Sequence, residues 1–428
     1  MFNQSGLSLD QAPPITVVFK FFFVGTLFGI MAGMSLFFYQ TKIFDPSTLA
    51  ALSFTHLLTL GVMLNFMFAA LFQMLPVIAG IKLSSPTQKS KLLLYPMTLG
   101  ILILILAFNN PSVAWLYTLA ALFIGFALFI GITPMITNLL KLSHHTSSSK
   151  GMTVALFSLL FVVVFALYLL LSLSGILEGT YYMNIKTAHY SFALFAWVAL
   201  LIISISFQVI EMFYVTPAYP RLVSKYLPLT LFILLLLSTL LQFIIPNVWL
   251  VSNVLLSLLL ISYALLTLKR LTQRKRPLTD ATVWFWRVGL SALFISMLIV
   301  LLEEIIDIPI LSPLSYILFA TFALSIVFAM FYKIIPFLTW FHLNSQGYFT
   351  APMMHEIIHP KTAKKHLYIH LATIVTFILS LFVNVFILLA GLLMILSFSW
   401  MTYQIIHADK LYKETQKNGE KFDMGSMG

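Results

Sequence analysis

Apolar runs of spanning length, roughly 20 residues each, recur along the whole chain and leave little sequence for a soluble domain. Of 428 residues, 61% are hydrophobic and 9% charged, whereas soluble domains carry about 25% charged residues. We predict an all-α integral membrane protein, one polytopic transmembrane domain over 1–428 whose partner is the lipid bilayer. About twelve helices are predicted, near 15–39, 49–79, 91–108, 112–140, 152–175, 186–216, 224–245, 248–268, 281–305, 313–341, 366–384 and 386–408.

The basic residues alternate between the loops. Most of the 24 Lys and Arg fall after the second, fourth, sixth, eighth and tenth helices and in the tail, whereas Lys42 and Lys186 stand alone in the other loops. The positive-inside rule then predicts that both termini are cytoplasmic, in a bacterial-type inner membrane. The polar residues at 409–428 predict a short, disordered cytoplasmic tail. Because this distribution explains the net charge of +11, no nucleic-acid partner is expected.

Cysteine is absent, which excludes disulfides, thiolate metal sites, iron–sulfur clusters and covalently attached heme.

Three stretches of the chain read as versions of one helix: 55–76, 188–211 and 315–336. Their closing phrases begin at Phe72, Phe207 and Phe331, so the spacings are 207 − 72 = 135 and 331 − 207 = 124 residues. Such a spacing holds about four membrane helices. The pattern predicts three pseudo-symmetric four-helix repeats in which the second, sixth and tenth helices are equivalent.

The first two of these helices open with histidines, His56 and His189, in the outer third of the membrane. A neutral imidazole is a good iron ligand, and ionisable side chains inside spanning helices usually face a bundle interior. Two imidazoles at one depth could hold a heme or a metal ion between them. The alternative is that each histidine hydrogen-bonds a neighbouring helix or lies in the membrane interface.

The run from His56 to Pro76 resembles the second helix of the catalytic subunit (subunit I) of heme-copper oxidases, and is most similar to the nitric oxide reductase branch. The resemblance implies twelve helices in three arcs and cytoplasmic termini. It also implies that His56 ligates a low-spin heme. His189 lies in the sixth helix, where that family places a copper ligand, but the surrounding residues do not match the copper motif.

The chain departs from that family at two further helices. Residues 225–245 contain no histidine pair for copper, and 313–341 contain no histidine at the register where Tyr316 stands. Tyrosinate can ligate heme iron, although tyrosines near the interface usually anchor a helix. We therefore expect heme rather than copper, and no oxygen-reducing centre. The resemblance implies a respiratory or nitric-oxide-related redox, sensing or assembly role, with a small redox or respiratory subunit as a possible partner. A twelve-helix secondary transporter is the alternative.

A second histidine group lies between the tenth and eleventh helices. The run His355-Glu356-Ile357-Ile358-His359 matches the pattern of zinc proteases, whose chemistry needs both histidines on one face of a helix. Pro360 would end a helix there. A zinc site in this cytoplasmic loop, or a membrane zinc protease, is thus a further alternative. His366 and His370 could share one helical face.

Polar residues also mark the inner ends of the three repeated helices. Gln73, Glu211 and Lys333 fall near one register. They could line a proton or quinone site, with Glu211 paired to Lys333, or they could simply reach water at the helix ends. Asn65, in the middle of the second helix, is a candidate for a buried hydrogen bond to a neighbouring helix.

Overall fold

The computed structural model describes residues 13–81, 83–276 and 280–421. Within these ranges the chain is helical without strands, apart from an isolated bridge between Tyr348 and Lys421. The long helices are α1 (Ile15–Tyr39), α2 (Leu49–Val77), α3 (Pro86–Asn109), α4 (Trp115–Leu140), α5 (Ser147–Leu173), α6 (Tyr182–Tyr214), α7 (Arg221–Leu241), α8 (Val248–Thr272), α9 (Ala281–Glu303), α10 (Leu311–Ser345), α11 (Pro360–Leu379) and α12 (Phe386–Asn418).

Among the described residues, eleven of these helices are long and apolar enough to cross a membrane, and α11 is the exception. Its first two turns carry Lys361, Lys364 and Lys365, which lower its apolarity. Its 20 residues nevertheless measure about 30 Å at 1.5 Å per residue, the thickness of a hydrocarbon core. The prediction of an all-helical, multi-pass membrane protein is confirmed.

Two faces of the bundle serve as reference points below. The His56 face is formed by the connections at 45–48, 110–114, 174–181, 242–247, 304–310 and 380–385. The Lys333 face is formed by the connections at the other ends of the helices, which include 215–220 and 346–359. Asp280, directly before α9, lies at the same face. Helices α2, α6 and α10 all run from the His56 face to the Lys333 face.

The centre of the bundle is occupied by α2, α6 and α10. Their most apolar 18-residue windows are 78%, 78% and 67% buried inside the protein, against 33% for α7 and α8. Helix α1 packs between α2 and α12, and α9 packs along α10. The three helices with similar closing phrases are therefore the three most buried of the described spans.

Both α2 and α6 contain a wide π-helical segment of eight residues. The segments are Leu57–Leu64 and Phe192–Ala199, so each position in the second lies 135 residues after its counterpart in the first. This offset equals the spacing of the closing phrases. In α2, the Asn65 side chain donates through Nδ2 to the Gly61 carbonyl at 2.8 Å. Asn65 therefore supports its own helix at the end of the π segment rather than a neighbouring helix. Helix α10 is α-helical throughout.

The prediction that the tail at 409–428 is disordered is wrong for its first half, because α12 continues as far as Asn418. Side chains four residues apart pair along it, with Lys413 Nζ 2.6 Å from Asp409 Oδ2. Tyr348, after the end of α10, donates its hydroxyl to the Gln416 carbonyl at 2.9 Å. The contact with Tyr348 holds the polar end of α12 against the segment that follows α10. Residues 422–428 lie outside the described part of the chain.

Candidate functional site

A largely apolar cavity of about 420 Å³ lies among the central helices and extends to Phe44 and Pro46 at the His56 face. Cavities that hold small molecules and cofactors in proteins measure about 300–1,000 Å³ and are mostly apolar, with a few polar groups. The polar side chains here are few, and two of them are the imidazoles of His56 and His189. The cavity is thus the strongest candidate for a ligand site in the described structure.

The structure brings the two predicted histidines together across this cavity. The ring centres of His56 and His189 lie 6.4 Å apart, and the ring planes differ by only 11°. Both side chains are half-buried and line the cavity wall. His56 reaches the site from α2 and His189 from α6, so the pair joins two of the central helices.

Each imidazole is held by one ring nitrogen. His56 Nδ1 lies 2.8 Å from the Leu52 carbonyl in its own helix, and His189 Nδ1 lies 3.3 Å from the Val162 carbonyl in α5. Since a carbonyl only accepts, Nδ1 carries the proton and donates it in both rings. The lone pair of each neutral ring is thereby left on Nε2. Metal-ligating histidines have the same arrangement, with the other N–H on a carbonyl or carboxylate.

The two histidines do not occupy equivalent positions in their helices, although the sequence repeat suggested that they do. With the 135-residue offset of the π segments, His56 corresponds to Ser191, and His189 corresponds to Phe54. A shift of two positions along an α-helix is a rotation of about 200°, at 3.6 residues per turn. The shift therefore turns the two imidazoles to different faces of α2 and α6, and these faces meet at the cavity.

Tyr316 also lines the cavity, at the start of α10, but it is 49% exposed. Lys186 and Tyr190, on α6 before and after His189, line the same region. The structure therefore places the predicted tyrosine at the rim of the cavity. Its electrostatic neighbours there are Tyr190 and Glu303, whereas the two histidines occupy the wall.

A second pair of histidines lies deeper, and the sequence had indicated only that they could share a helical face. His366 and His370, one turn apart on α11, are 0% and 4% exposed, and both pack against Phe285 and Phe328. Their shared face is confirmed. His370 also lines the cavity, a role that the sequence alone did not reveal. The available signal was their spacing of four residues within an apolar stretch.

The segment with the zinc-protease pattern does not form the helix that such a site needs. The helical turn covers Met354–Ile357, and Ile358 is extended, so His355 and His359 do not share one helical face. Both are exposed, and the Glu356 carboxylate accepts from the Met353 N–H at 2.7 Å. His359 is the N-cap of α11, where its Nδ1 accepts from the Lys361 N–H. Within the described ranges, no group of three or more His, Cys, Asp or Glu residues could hold a metal ion.

The suggested pair between Glu211 and Lys333 is also absent among the described contacts. Lys333 Nζ donates instead to Asp280 Oδ2 at 2.6 Å, and Glu211 accepts from the Tyr219 N–H at 3.1 Å. Burial of the Asp280 carboxyl acts to raise its pKa, but the Lys333 charge and hydrogen bonds from Lys333, Thr282 and the Val283 N–H outweigh it and hold the pKa below its usual range. Gln73 does not reach water, since it is 3% exposed.

No family model matches this chain, and no curated protein matches it at a significant level.

Proposed function

We propose that this chain is a heme-binding, multi-pass membrane protein that resembles the catalytic subunit of heme-copper oxidases, in which His56 and His189 would hold the heme. The observation that carries this proposal is the near-parallel pair of imidazoles 6.4 Å apart on the wall of an apolar cavity. The space between the two rings would let both imidazoles hold one bound group.

The residues around the cavity fit a heme by their chemistry. Both Nδ1–H groups are tied to backbone carbonyls, which fixes the rings and directs the free lone pair to Nε2. The aromatic and aliphatic lining, including Phe108 and Trp197, suits a macrocycle. Lys186 at the rim supplies a cation for a propionate. When bound, heme supplies one-electron transfer or the binding of a diatomic gas.

The architecture of three pseudo-symmetric four-helix repeats is part of the same proposal. It is supported by the common 135-residue offset of the π segments and closing phrases in α2 and α6. The central position of α10 beside these two helices supports a third copy. In this arrangement both termini lie in the cytoplasm, the Lys333 face is cytoplasmic, and the heme lies in the outer half of a bacterial-type inner membrane.

The chain's own residues limit the chemistry that such a site would perform. Its α7 contains no histidine, so the adjacent copper-binding pair of the resembled family has no counterpart there. We therefore propose electron transfer, gas sensing or assembly of a respiratory complex, with a small redox or respiratory subunit as partner. Oxygen reduction at a heme–copper centre is not proposed.

The proposal is tested by absorption spectra of the purified protein, oxidised and then reduced with dithionite. Wild type should show a sharp reduced band, and His56→Ala and His189→Ala should each lose it. The matched control is His407→Ala, because His407 stacks on Tyr403 of its own helix away from the cavity. A colourless wild type from heme-replete cells would overturn the proposal. Retention of the full band in both cavity variants would overturn the assignment of the ligands.

A further inference from the structure

Three buried polar atoms without hydrogen-bond partners belong to Tyr332 on α10 and to its neighbours on α11 and α12. They are the Tyr332 hydroxyl, His366 Nδ1 and the Trp400 indole nitrogen, each sealed from solvent and unpaired within the described structure. The rings of Tyr332 and His366 are 5.6 Å apart, and the Trp400 nitrogen lies beside the Tyr332 hydroxyl without forming a hydrogen bond.

Buried polar groups in proteins are almost always hydrogen-bonded, either to protein or to ordered water. A buried water typically makes about three hydrogen bonds to such groups. A hydroxyl, an imidazole nitrogen and an indole N–H around one place meet that requirement. The arrangement therefore fits water between the three helices, next to His366.

The other side of His366 leads towards the cavity. Its Nε2 shares a 2.7 Å hydrogen bond with Ser397 Oγ, and Ser397 lines the cavity. One turn further along α11, His370 Nε2 shares a 2.8 Å hydrogen bond with Ser325 Oγ, and His370 lines the same cavity. The imidazole of His366 thus lies between the buried polar cluster and the cavity wall.

The cluster in turn lies close to the Lys333 face. Tyr332 directly precedes Lys333, whose ammonium pairs with Asp280 at the start of α9. The Asp280 side chain is 39% exposed, so water reaches the protein at this level. Tyr332 is thus next in sequence to a lysine whose ion-pair partner is reached by solvent.

We infer that Tyr332, His366 and Ser397 form a hydrated proton path from the Lys333 face to the cavity. A proton from water binds Nδ1 of neutral His366, and the imidazolium passes its Nε2 proton to Ser397 Oγ as the serine hydroxyl releases its own proton to a water molecule in the cavity. The ring is left neutral in its other tautomer, and its rotation restores the first one. No oxidant, reductant or metal takes part in this step.

The surroundings of His366 leave few other groups that could exchange this proton. The titratable side chains that face it are His370 on its own helix and Tyr332 on α10. Helix α9 presents Phe285, and α12 presents Ser397 and the non-titratable Trp400. Among the described residues around His366, the path therefore has one imidazole at its centre and no carboxylate.

Exchange of the imidazole C2 hydrogen for deuterium tests this path in the full-length protein, with or without heme. Mass spectrometry after incubation in D₂O reports each histidine separately, and exchange requires both protonation of the ring and access of water. We expect His366 to exchange although it is 0% exposed. Exposed His355 and His359 give the reference rates. A His366 that stays unlabelled while these two exchange fully would overturn the path.

Two Tyr→Phe variants, each of which removes one hydroxyl oxygen, test whether the proton path includes Tyr332. Tyr332→Phe should slow exchange at His366 severalfold and leave His355 unchanged. Tyr263→Phe is the matched control, because Tyr263 is also buried but donates to Ser206 at 3.0 Å in another part of the bundle. Equal exchange at His366 in wild type, Tyr332→Phe and Tyr263→Phe would exclude Tyr332 from the path. This result does not depend on a heme at His56, so the two proposals fail separately.

Discussion

The Lys333 ammonium lies 2.6 Å from the Asp280 carboxylate, and this contact joins the inner part of α10 to the N-cap of α9. The same carboxylate accepts from the Val283 N–H at 3.2 Å and from the Thr282 hydroxyl at 2.5 Å. A single side chain therefore caps one helix and binds a cation from the next. The pairing explains how a lysine near the end of a spanning helix is accommodated.

Asp280→Asn should lower stability at neutral pH by about 1 kcal/mol, the upper range for partly exposed pairs. The asparagine oxygen can still cap α9, so the loss reports the charge. Because the folded pKa of Asp280 is lowered, its contribution is complete above the ordinary carboxyl pKa, about 3.9, and disappears as the pH falls through the folded value. Thermal unfolding in detergent should separate the two proteins at about pH 7 and separate them less at about pH 3.

Asp409→Asn is the control for this measurement, because Asp409 forms a similar 2.6 Å pair with Lys413 on an exposed helical surface. It should change stability less than Asp280→Asn at either pH. An equal loss of stability for Asp280→Asn at both pH values would contradict the role of the charge.

Gly61 allows α1 to approach the π segment of α2. A Cβ at this position would lie 2.7 Å from Phe28 Cβ, so Gly61→Ala forces α1 and α2 apart. Overpacking of this kind costs about 1–3 kcal/mol, which should lower the thermal midpoint in detergent. Gly80→Asn is the contrasting variant. Gly80 follows α2 with φ +66°, has open space around it, and adopts a conformation that asparagine tolerates. Its midpoint should stay close to that of wild type.

His359 should matter as a helix cap. Its Nδ1 accepts from the Lys361 N–H at 3.2 Å at the start of α11, and loss of a cap acceptor costs about 0.5–2 kcal/mol. His359→Ala should therefore lower the thermal midpoint, and His359→Ser should restore it. His355→Ala removes the other histidine of the pair without removing a cap. A rise of the wild-type midpoint on addition of zinc that both His355→Ala and His359→Ala abolish would show instead that the two residues share a metal.

The apolar runs predicted the spans well because each helix must satisfy its backbone inside the membrane. The repeat also placed His56 and His189 at similar depths, and their rings do face each other. The two-residue offset between them is already present in the sequence, because the closing phrases are 135 residues apart and the histidines 133. The π segments Leu57–Leu64 and Phe192–Ala199 keep the 135-residue spacing.

Partner choice between polar groups was less predictable than helix position. Glu211 and Lys333 share a register, yet Lys333 pairs with Asp280, which begins the next helix and so lies at the same level. The role of His366 depends on Tyr332 and Trp400, two residues from other helices. Such contacts follow from the packing of α10, α11 and α12, and hydrophobic periodicity carries no information about it.

The strongest prediction concerns the two cavity histidines as one unit. If His56 and His189 ligate the same iron, the double variant His56→Gly/His189→Gly should lose no more heme than the more damaging single variant, because residues that act together are not additive. Added imidazole should restore the reduced absorption band of His56→Gly by occupying the space that the side chain leaves. Heme content per protein, measured as the pyridine complex, gives the comparison. Additive losses in the double variant, with no effect of imidazole, would show that the two histidines stabilise the fold independently and share no ligand.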